Sequence, residues 1–331
     1  MEKNEKGKIG IIVGTYIFLE AFLFLLLFSS FSPLVSSGVG TNTTVITYLE
    51  VGAVYPEILN ISVNDNTNVV LTPNATTHVV CQAIIQDWNN ETDFFLVNST
   101  LYHTTDSSWD DSDDNNYHYT NASCVIDTDA SNGWFTFTDD EYHALANCSY
   151  EVEYYANSGN WNCSVYVEDI TNRSNREEDT GVIDPLLAVG LPDSINYGIV
   201  NSTDVSEEQV ANVTNVGNTA LDLSLKGYAV TEGDGHAMNC SKGSYTFIDI
   251  FYEKYNLTAS NFGVLSLSET EALHANLTSS EVMENFDLPA RQNDAFNEAV
   301  NATYWRIYVP KGLAGTCEGN IVFGAVDSST V

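Results

Sequence analysis

Residues 210–227 read VANVTNVGNTALDLSLKG, and within them Leu221, Leu223 and Leu225 alternate with Asp222, Ser224 and Lys226. Successive side chains of a strand point to opposite faces, so a period of two predicts a strand with one core face and one wet face. Gly217-Asn218 signals the turn before it. Short apolar or alternating stretches recur at 58–63, 77–85, 94–102, 122–127, 134–137, 148–155 and 161–167, separated by Asn, Asp, Ser and Gly clusters. Seven short strands so punctuated predict a β-sandwich. The chain closes on another strand-turn-strand unit at 302–310, 311–315 and 316–326, and Ser268 with Glu271 fits a capping box ahead of a short helix at ALHANL. The stretch 169–181, DITNRSNREEDTG, has little apolar content and reads as a linker. The expectation is an all-β protein of two tandem sandwiches, over 38–168 and 182–331, after an N-terminal segment 1–37.

That N-terminal segment carries Lys3, Lys6 and Lys8 ahead of an apolar run over 9–28, then a Ser-rich exit. Basic residues stay inside, so the rest of the chain is expected outside the membrane. A largely apolar run of twenty residues suits a retained transmembrane helix, while Ser36-Ser37-Gly38 offers small residues for removal as a signal peptide. Glu20 within the run would be costly in lipid unless protonated or facing a partner, and Gly10-x-x-x-Gly14 suits close helix approach. Beyond it, Val45, Thr47, Leu49, Val51, Ala53 and Tyr55 share one face of a period-two pattern. Such a segment either opens its own domain as a first strand or completes the sheet of another subunit.

The six cysteines, Cys81, Cys124, Cys148, Cys163, Cys240 and Cys317, form an even, widely spaced set without a CxxC pair. In an exported chain that suggests disulfides and gives no metal site. The first four allow three pairings. Cys81 shares a strand face with Ala83 and Ile85, as Cys163 does with Val165 and Val167. An early-strand cysteine opposite a late-strand one is the immunoglobulin arrangement, which prefers Cys81 with Cys163 and leaves Cys124 with Cys148. Cys240 and Cys317 stand alone in the second region and are expected to pair.

Fifteen Asn-x-Ser/Thr acceptors occur, at Asn42, Asn60, Asn74, Asn90, Asn98, Asn121, Asn147, Asn162, Asn172, Asn201, Asn212, Asn239, Asn256, Asn276 and Asn301. They exceed what the chain's own Asn, Ser and Thr frequencies would produce by chance, which supports a glycosylated exterior. At Asn147, Asn162 and Asn239 the acceptor is followed directly by a cysteine. Strand alternation reconciles the two: the asparagine faces water and its neighbour the core.

Acidic residues outnumber basic ones by 45 to 11, a net charge of −34, which argues against nucleic acid as a partner. Only 17% of residues are charged and 11% are aromatic, so the chain is not of disordered type. His78, His103, His118, His143, His236 and His274 are scattered, with no HExxH, no GxSxG and no glycine-rich phosphate loop. No catalytic role and no cofactor are expected. The acidic stretch 106–114 and the alternating Asp127, Asp129 and Ser131 suit Ca²⁺, whose ligands are hard oxygens. Against that ion, an EF-hand glycine would fall at Asn132, and a solvated acidic loop is the competing reading.

The run VTNVGNTALDLSLKG, followed by YWRIYVPKGLAGTCEGNIVFGA, resembles the terminal β-sandwich domain of archaeal surface proteins and is loosely similar to the TasA and camelysin class of secreted jelly-roll proteins. The stretches VVCQAIIQDWNNETDF and NWNCSVYVED resemble immunoglobulin-like modules. The resemblance implies an immunoglobulin-like first sandwich, a jelly-roll-like second one, and a cell-surface location. The expected role is structural or adhesive, including that of a filament subunit, with copies of itself or other surface proteins as partners. The alternative is a glycan- or protein-binding module using Trp88, Trp109, Trp134 or Trp161. A secreted peptidase would need carboxylates and histidines to converge in a cleft.

Overall fold

A computed structural model describes residues 44–49, 52–129, 137, 140–260, 262–292 and 299–328. The apolar run 9–28, Asn42, Ser131 and Trp134 lie outside the described residues. Among the described residues no helix is long and apolar enough to cross a membrane. Residues 44–49 belong to no strand, and Val45, Ile46, Tyr48 and Leu49 are all exposed. The first strand of residues 53–331, which make one compact unit, begins later, at Glu57.

The first eight strands are β1 (Glu57–Val63), β2 (Thr77–Gln86), β3 (Phe94–His103), β4 (His118–Asn121), β5 (Val125–Asp127), β6 (His143–Val152), β7 (Gly159–Asp169) and β8 (Ser174–Ile183). They form two four-stranded sheets, ordered β1-β2-β6-β5 and β4-β3-β7-β8. Inward residues of both sheets, among them Val79, Ala83, Ile85, Val97, Val165 and Val167, pack with Trp161 in one core. Two disulfides fasten it: Cys81–Cys163 joins the sheets, and Cys124–Cys148 ties the start of β5 to β6.

The stretch expected as a linker is largely β8, which pairs with β7 from Gly159↔Ile183 to Glu168↔Ser174. The pattern misleads because β8 is an edge strand, where charged side chains guard an open row of backbone groups and little apolar content is needed. The join between the two sets of strands lies instead at residues 184–188.

The remaining strands are β9 (Val189–Gly190), β10 (Gln209–Asn215), β11 (Leu221–Tyr228), β12 (His236–Gly243), β13 (Phe247–Asp249), β14 (Glu253–Asn256), β15 (Ala275–Asn276), β16 (Val282–Leu288), β17 (Val300–Ile307), β18 (Leu313–Glu318) and β19 (Asn320–Asp327). Their sheets are ordered β15-β14-β17-β10-β9, β16-β11-β19 and β13-β12-β18. Leu221, Leu223 and Leu225 are fully buried as the alternation demands. The opposite face of β11 is not wet, however, because Asp222 and Ser224 are buried too. Asp222 accepts the backbone N–H groups of Phe286 and Asp287 at 2.7 and 2.8 Å, and Ser224 donates to Glu281 at 2.6 Å. Local polarity therefore marks a second packing face here.

The helix α1 (Leu267–Leu273) is capped two residues earlier than expected, by Ser266 in place of Ser268. Ser266 and Glu269 form the reciprocal box, and SLSETE holds two overlapping S-x-x-E frames of which the earlier is used. Towards the end of the chain, β18 and β19 make an almost continuous ribbon that changes sheet at Gly319. A Cβ there would stand 1.8 Å from the Ala237 carbonyl oxygen, so only glycine fits. The Cys240–Cys317 bridge links directly opposed residues of β12 and β18.

Buried asparagines hold the two sets of strands together. Asn218 donates to the Ala156 carbonyl at 2.9 Å and accepts from Leu186 N–H, and Asn116 donates to the Arg291 carbonyl at 2.8 Å. Tyr154 and Tyr155 pack with Val216 at the same join.

Candidate functional site

The chemistry-bearing side chains disperse on folding. Each of the six histidines lies beside its own carboxylate: His78 by Glu151, His103 by Asp106, His118 by Asp113, His143 by Asp140, His236 by Asp249 and His274 by Glu208. No two share a carboxylate, and among the described residues no group of three or more His, Cys, Asp or Glu is placed to hold a metal ion. Asp127 accepts the Asp129 N–H at 2.9 Å, which closes a turn. In the other acidic stretch Asp111 accepts from Ser107 and Ser108, and Asp114 from Asn116 N–H, so these carboxylates shape their own loop.

The described candidate tryptophans do not gather on one face. Trp161 is core. Trp88 is exposed in the β2–β3 loop, whereas Trp109 is exposed in the β3–β4 loop at the other end of β3, under the Arg176 guanidinium at 3.7 Å.

The acceptor asparagines sort cleanly. None of the fourteen in the described residues is buried, while the buried asparagines Asn116, Asn215 and Asn218 all lie outside acceptor triplets. Cys148, Cys163 and Cys240 are buried beside partly or fully exposed Asn147, Asn162 and Asn239, as strand alternation requires.

Among the described residues, two concave surface features bear on function. The first is a groove of about 500 Å³ lined by Tyr245, Phe247, Tyr252, His236, Asp249 and Lys311, among others. It is built by the β12–β13 turn folding against residues 310–313. Gly243 and Gly312 take positive φ there (136° and 93°), and a Cβ on Gly243 would meet the Gly312 carbonyl at 2.3 Å. His236 stacks on Phe247 with centroids 4.5 Å apart, its Nδ1 3.3 Å from Asp249. Asp234 fixes the approach to His236 by accepting four backbone N–H groups, which hold its carboxyl well below the usual range. Tyr252 packs on Phe251 and Tyr308, and burial raises its hydroxyl above the ordinary tyrosine value. Exposed rings with polar groups at the rim suit stacking and hydrogen bonding. The lining holds one carboxylate, Asp249, whereas glycoside hydrolysis uses a facing pair. The signal is present in the sequence as SYTFIDIFYEKY, an aromatic run that contains no tryptophan.

The second feature follows the outer edge of the β18–β19 ribbon. Each strand ends its sheet, so among the described residues that edge has no strand partner. Residues 191–202 run beside it without pairing, leaving cavities of about 280 and 690 Å³. Glu253 lines the smaller one. It is buried, its Oε1 accepts from Tyr197 at 2.8 Å, and its Oε2 has no partner. Burial pushes its carboxyl up to about 7.

No protein-family model and no curated protein matches the chain. Among solved structures it is similar to the CsuC-CsuE chaperone-tip adhesion subunit complex of Acinetobacter baumannii, at 10% identity over 80% of this chain and 99% of that one, with a TM-score of 0.35. It is similar to the C-terminal domain of the Streptococcus pyogenes antigen I/II-family protein AspA, at 11% identity over 82% and 95%, TM-score 0.24. Carbohydrate-binding modules of the β-sandwich superfamily match at 9% identity over 82% and 97%, TM-score 0.23. Likenesses this distant assign no role.

Proposed function

We propose that the protein is an exported, glycosylated, non-enzymatic component of a cell surface, with a structural or adhesive role. The observation that carries this reading is the sorting of asparagines: among the described residues every acceptor is at least partly exposed, and every buried asparagine is outside an acceptor triplet. Three disulfides and an acidic exterior fit the same compartment. The test is fractionation of the producing cells with glycopeptide mapping. Recovery at the surface with sugars on several acceptors is expected; an unmodified chain inside the cell overturns the reading.

Within that role the protein assembles with copies of itself. The open β18–β19 edge accepts residues 44–49 of a neighbouring copy, which are rich in β-branched residues, uncharged, and exposed. Copies of a chain with net charge −34 repel one another, and an uncharged strand adds no repulsion at the contact. An inserted strand also brings donors near the unpartnered Glu253 Oε2. Mixing Thr47→Cys and Val322→Cys variants should give a disulfide-linked pair of different chains. No link between different chains overturns this assembly.

A second reading, supported by the aromatic groove, is recognition of glycans or other proteins through Tyr245 and Tyr252. Tyr245→Ala should lower binding of the folded protein to neutral glycans about tenfold, the size of one stacking contact.

A further inference from the structure

Ten described acceptor asparagines lie in strands, and four of them stand directly opposite an aromatic residue: Asn98 faces Tyr166, Asn162 faces Tyr102, Asn239 faces Phe247 and Asn256 faces Tyr304. Aromatic residues are 11% of the chain, so this share is well above composition. Directly opposed residues point to the same side of the sheet with Cβ atoms about 4.5–5.5 Å apart. That spacing brings a sugar joined to the asparagine amide within reach of the opposing ring.

The four pairs are not equally open. The Asn162 amide is held by Tyr102, Glu178 and Thr180, and Tyr102 is buried. Asn256 donates to the Leu273 carbonyl. Tyr166 donates to Glu168 and also lies near the Arg176 guanidinium. Asn239 and Phe247 are both exposed, on the outer face of β12 and β13. Phe247 is 40% exposed, and among the described residues only the His236 ring stacks on it. The stacked imidazole covers part of the ring, and 40% of Phe247 remains exposed to a further ligand.

We infer that the first sugar of an N-linked glycan on Asn239 lies across the exposed part of Phe247 and covers it. The physical basis is complementarity: a pyranose ring presents a face of weakly positive C–H groups, and the aromatic face is negative. The contact removes from water an apolar ring that the protein alone leaves bare. Asn239 is placed for this by Cys240, whose bridge to Cys317 fixes β12 between β13 and β18. This inference rests on the proposed glycosylated surface role. It also implies that the groove beside Phe247 is seated in part by the protein's own sugar.

The test is a double-mutant cycle on the full chain purified from a glycosylating host, using Asn239→Gln, Phe247→Leu and both together. Site occupancy is read by mass spectrometry and stability by the thermal midpoint. Leucine keeps an apolar side chain without the aromatic face, so the fold is retained. Asn239→Gln should lower the midpoint by about 2–4 °C when Phe247 is present, the shift expected of an ordinary stacking contact in a large domain. It should have no effect once Phe247 is leucine, and none in chains made without glycosylation. An equal effect in both backgrounds overturns the inference while leaving the glycosylated role intact. An unoccupied Asn239 overturns the inference, and an absence of sugar at every acceptor overturns the role as well.

Discussion

Cys81 and Cys148 are direct partners across β2 and β6, both buried, yet each is bonded to a third residue: Cys81 to Cys163 and Cys148 to Cys124. Opposed residues of an antiparallel pair have Cα atoms about 4.5–5.5 Å apart, inside the range a disulfide can span. A single Cys163→Ala substitution frees a thiol next to the Cys124–Cys148 bond. Its thiolate should attack the Cys148 sulfur and release Cys124. Alkylation and peptide mapping are expected to place the free thiol at Cys124; a label retained at Cys81 would refute this. Loss of the bridge between the sheets should cost about 2–5 kcal/mol in denaturant unfolding.

Glu253 gives the protein a pH dependence of defined sign. Its carboxyl is raised from 4.5 to about 7 by burial. A raised folded value means that the site's contribution is complete below the unfolded value of 4.5 and is lost as pH rises through about 7. A shift of this size corresponds to ~3 kcal/mol. Glu253→Gln is neutral throughout and can still accept from Tyr197. The variant should therefore gain on the wild type between these pH values and exceed it at pH 8, as read from urea midpoints across the range. Parallel profiles would contradict this.

Arg306 is buried with its guanidinium spread over four acceptors: the carbonyls of Ser206, Gly263 and Phe262, and the Ser260 hydroxyl. Its Nε lies 3.7 Å from Glu208. The planar fork reaches acceptors in different directions, which a lysine ammonium cannot. Arg306→Lys is expected to cost about 3 kcal/mol and to loosen the chain at Ser260, Phe262 and Gly263 first. Hydrogen exchange that shows no local opening there would count against it.

Glycan occupancy should follow amide availability. Asn60, Asn74, Asn172 and Asn212 are exposed acceptors. Asn276 is exposed too, but its side-chain oxygen accepts from the buried Lys254 ammonium at 2.5 Å. Lower occupancy is expected at Asn276 than at those four, read by glycopeptide mass spectrometry. Equal occupancy would mean that modification precedes folding.

Strand alternation made the cores legible, because burial on one face leaves a period that survives without any tertiary knowledge. It placed Cys163, Val165 and Val167 inward and Leu221, Leu223 and Leu225 in the second core. It failed where a strand buries both faces or neither. Asp222 and Ser224 look like wet positions until the 280–287 segment covers them, and β8 looks like a linker because an edge strand tolerates charge. The open edge of β18 and β19 was not readable at all, since it depends on which strand ends a sheet. The aromatic groove was readable in principle from SYTFIDIFYEKY, but its rings converge only because residues 310–313 fold beneath them.

In the proposed surface role the protein would be pulled on, and the bridges then limit how far it can stretch. Cys81–Cys163 and Cys240–Cys317 close loops with sequence separations of 82 and 77 residues. Under tension the force passes through the sulfur–sulfur bonds, so the chain inside each loop cannot be drawn out even after its strands come apart. Cys124–Cys148 lies wholly inside the first loop and adds no further limit. Under oxidising conditions tension would draw out only the chain outside the two loops, such as residues 164–239, and reduction would release the chain within them as well.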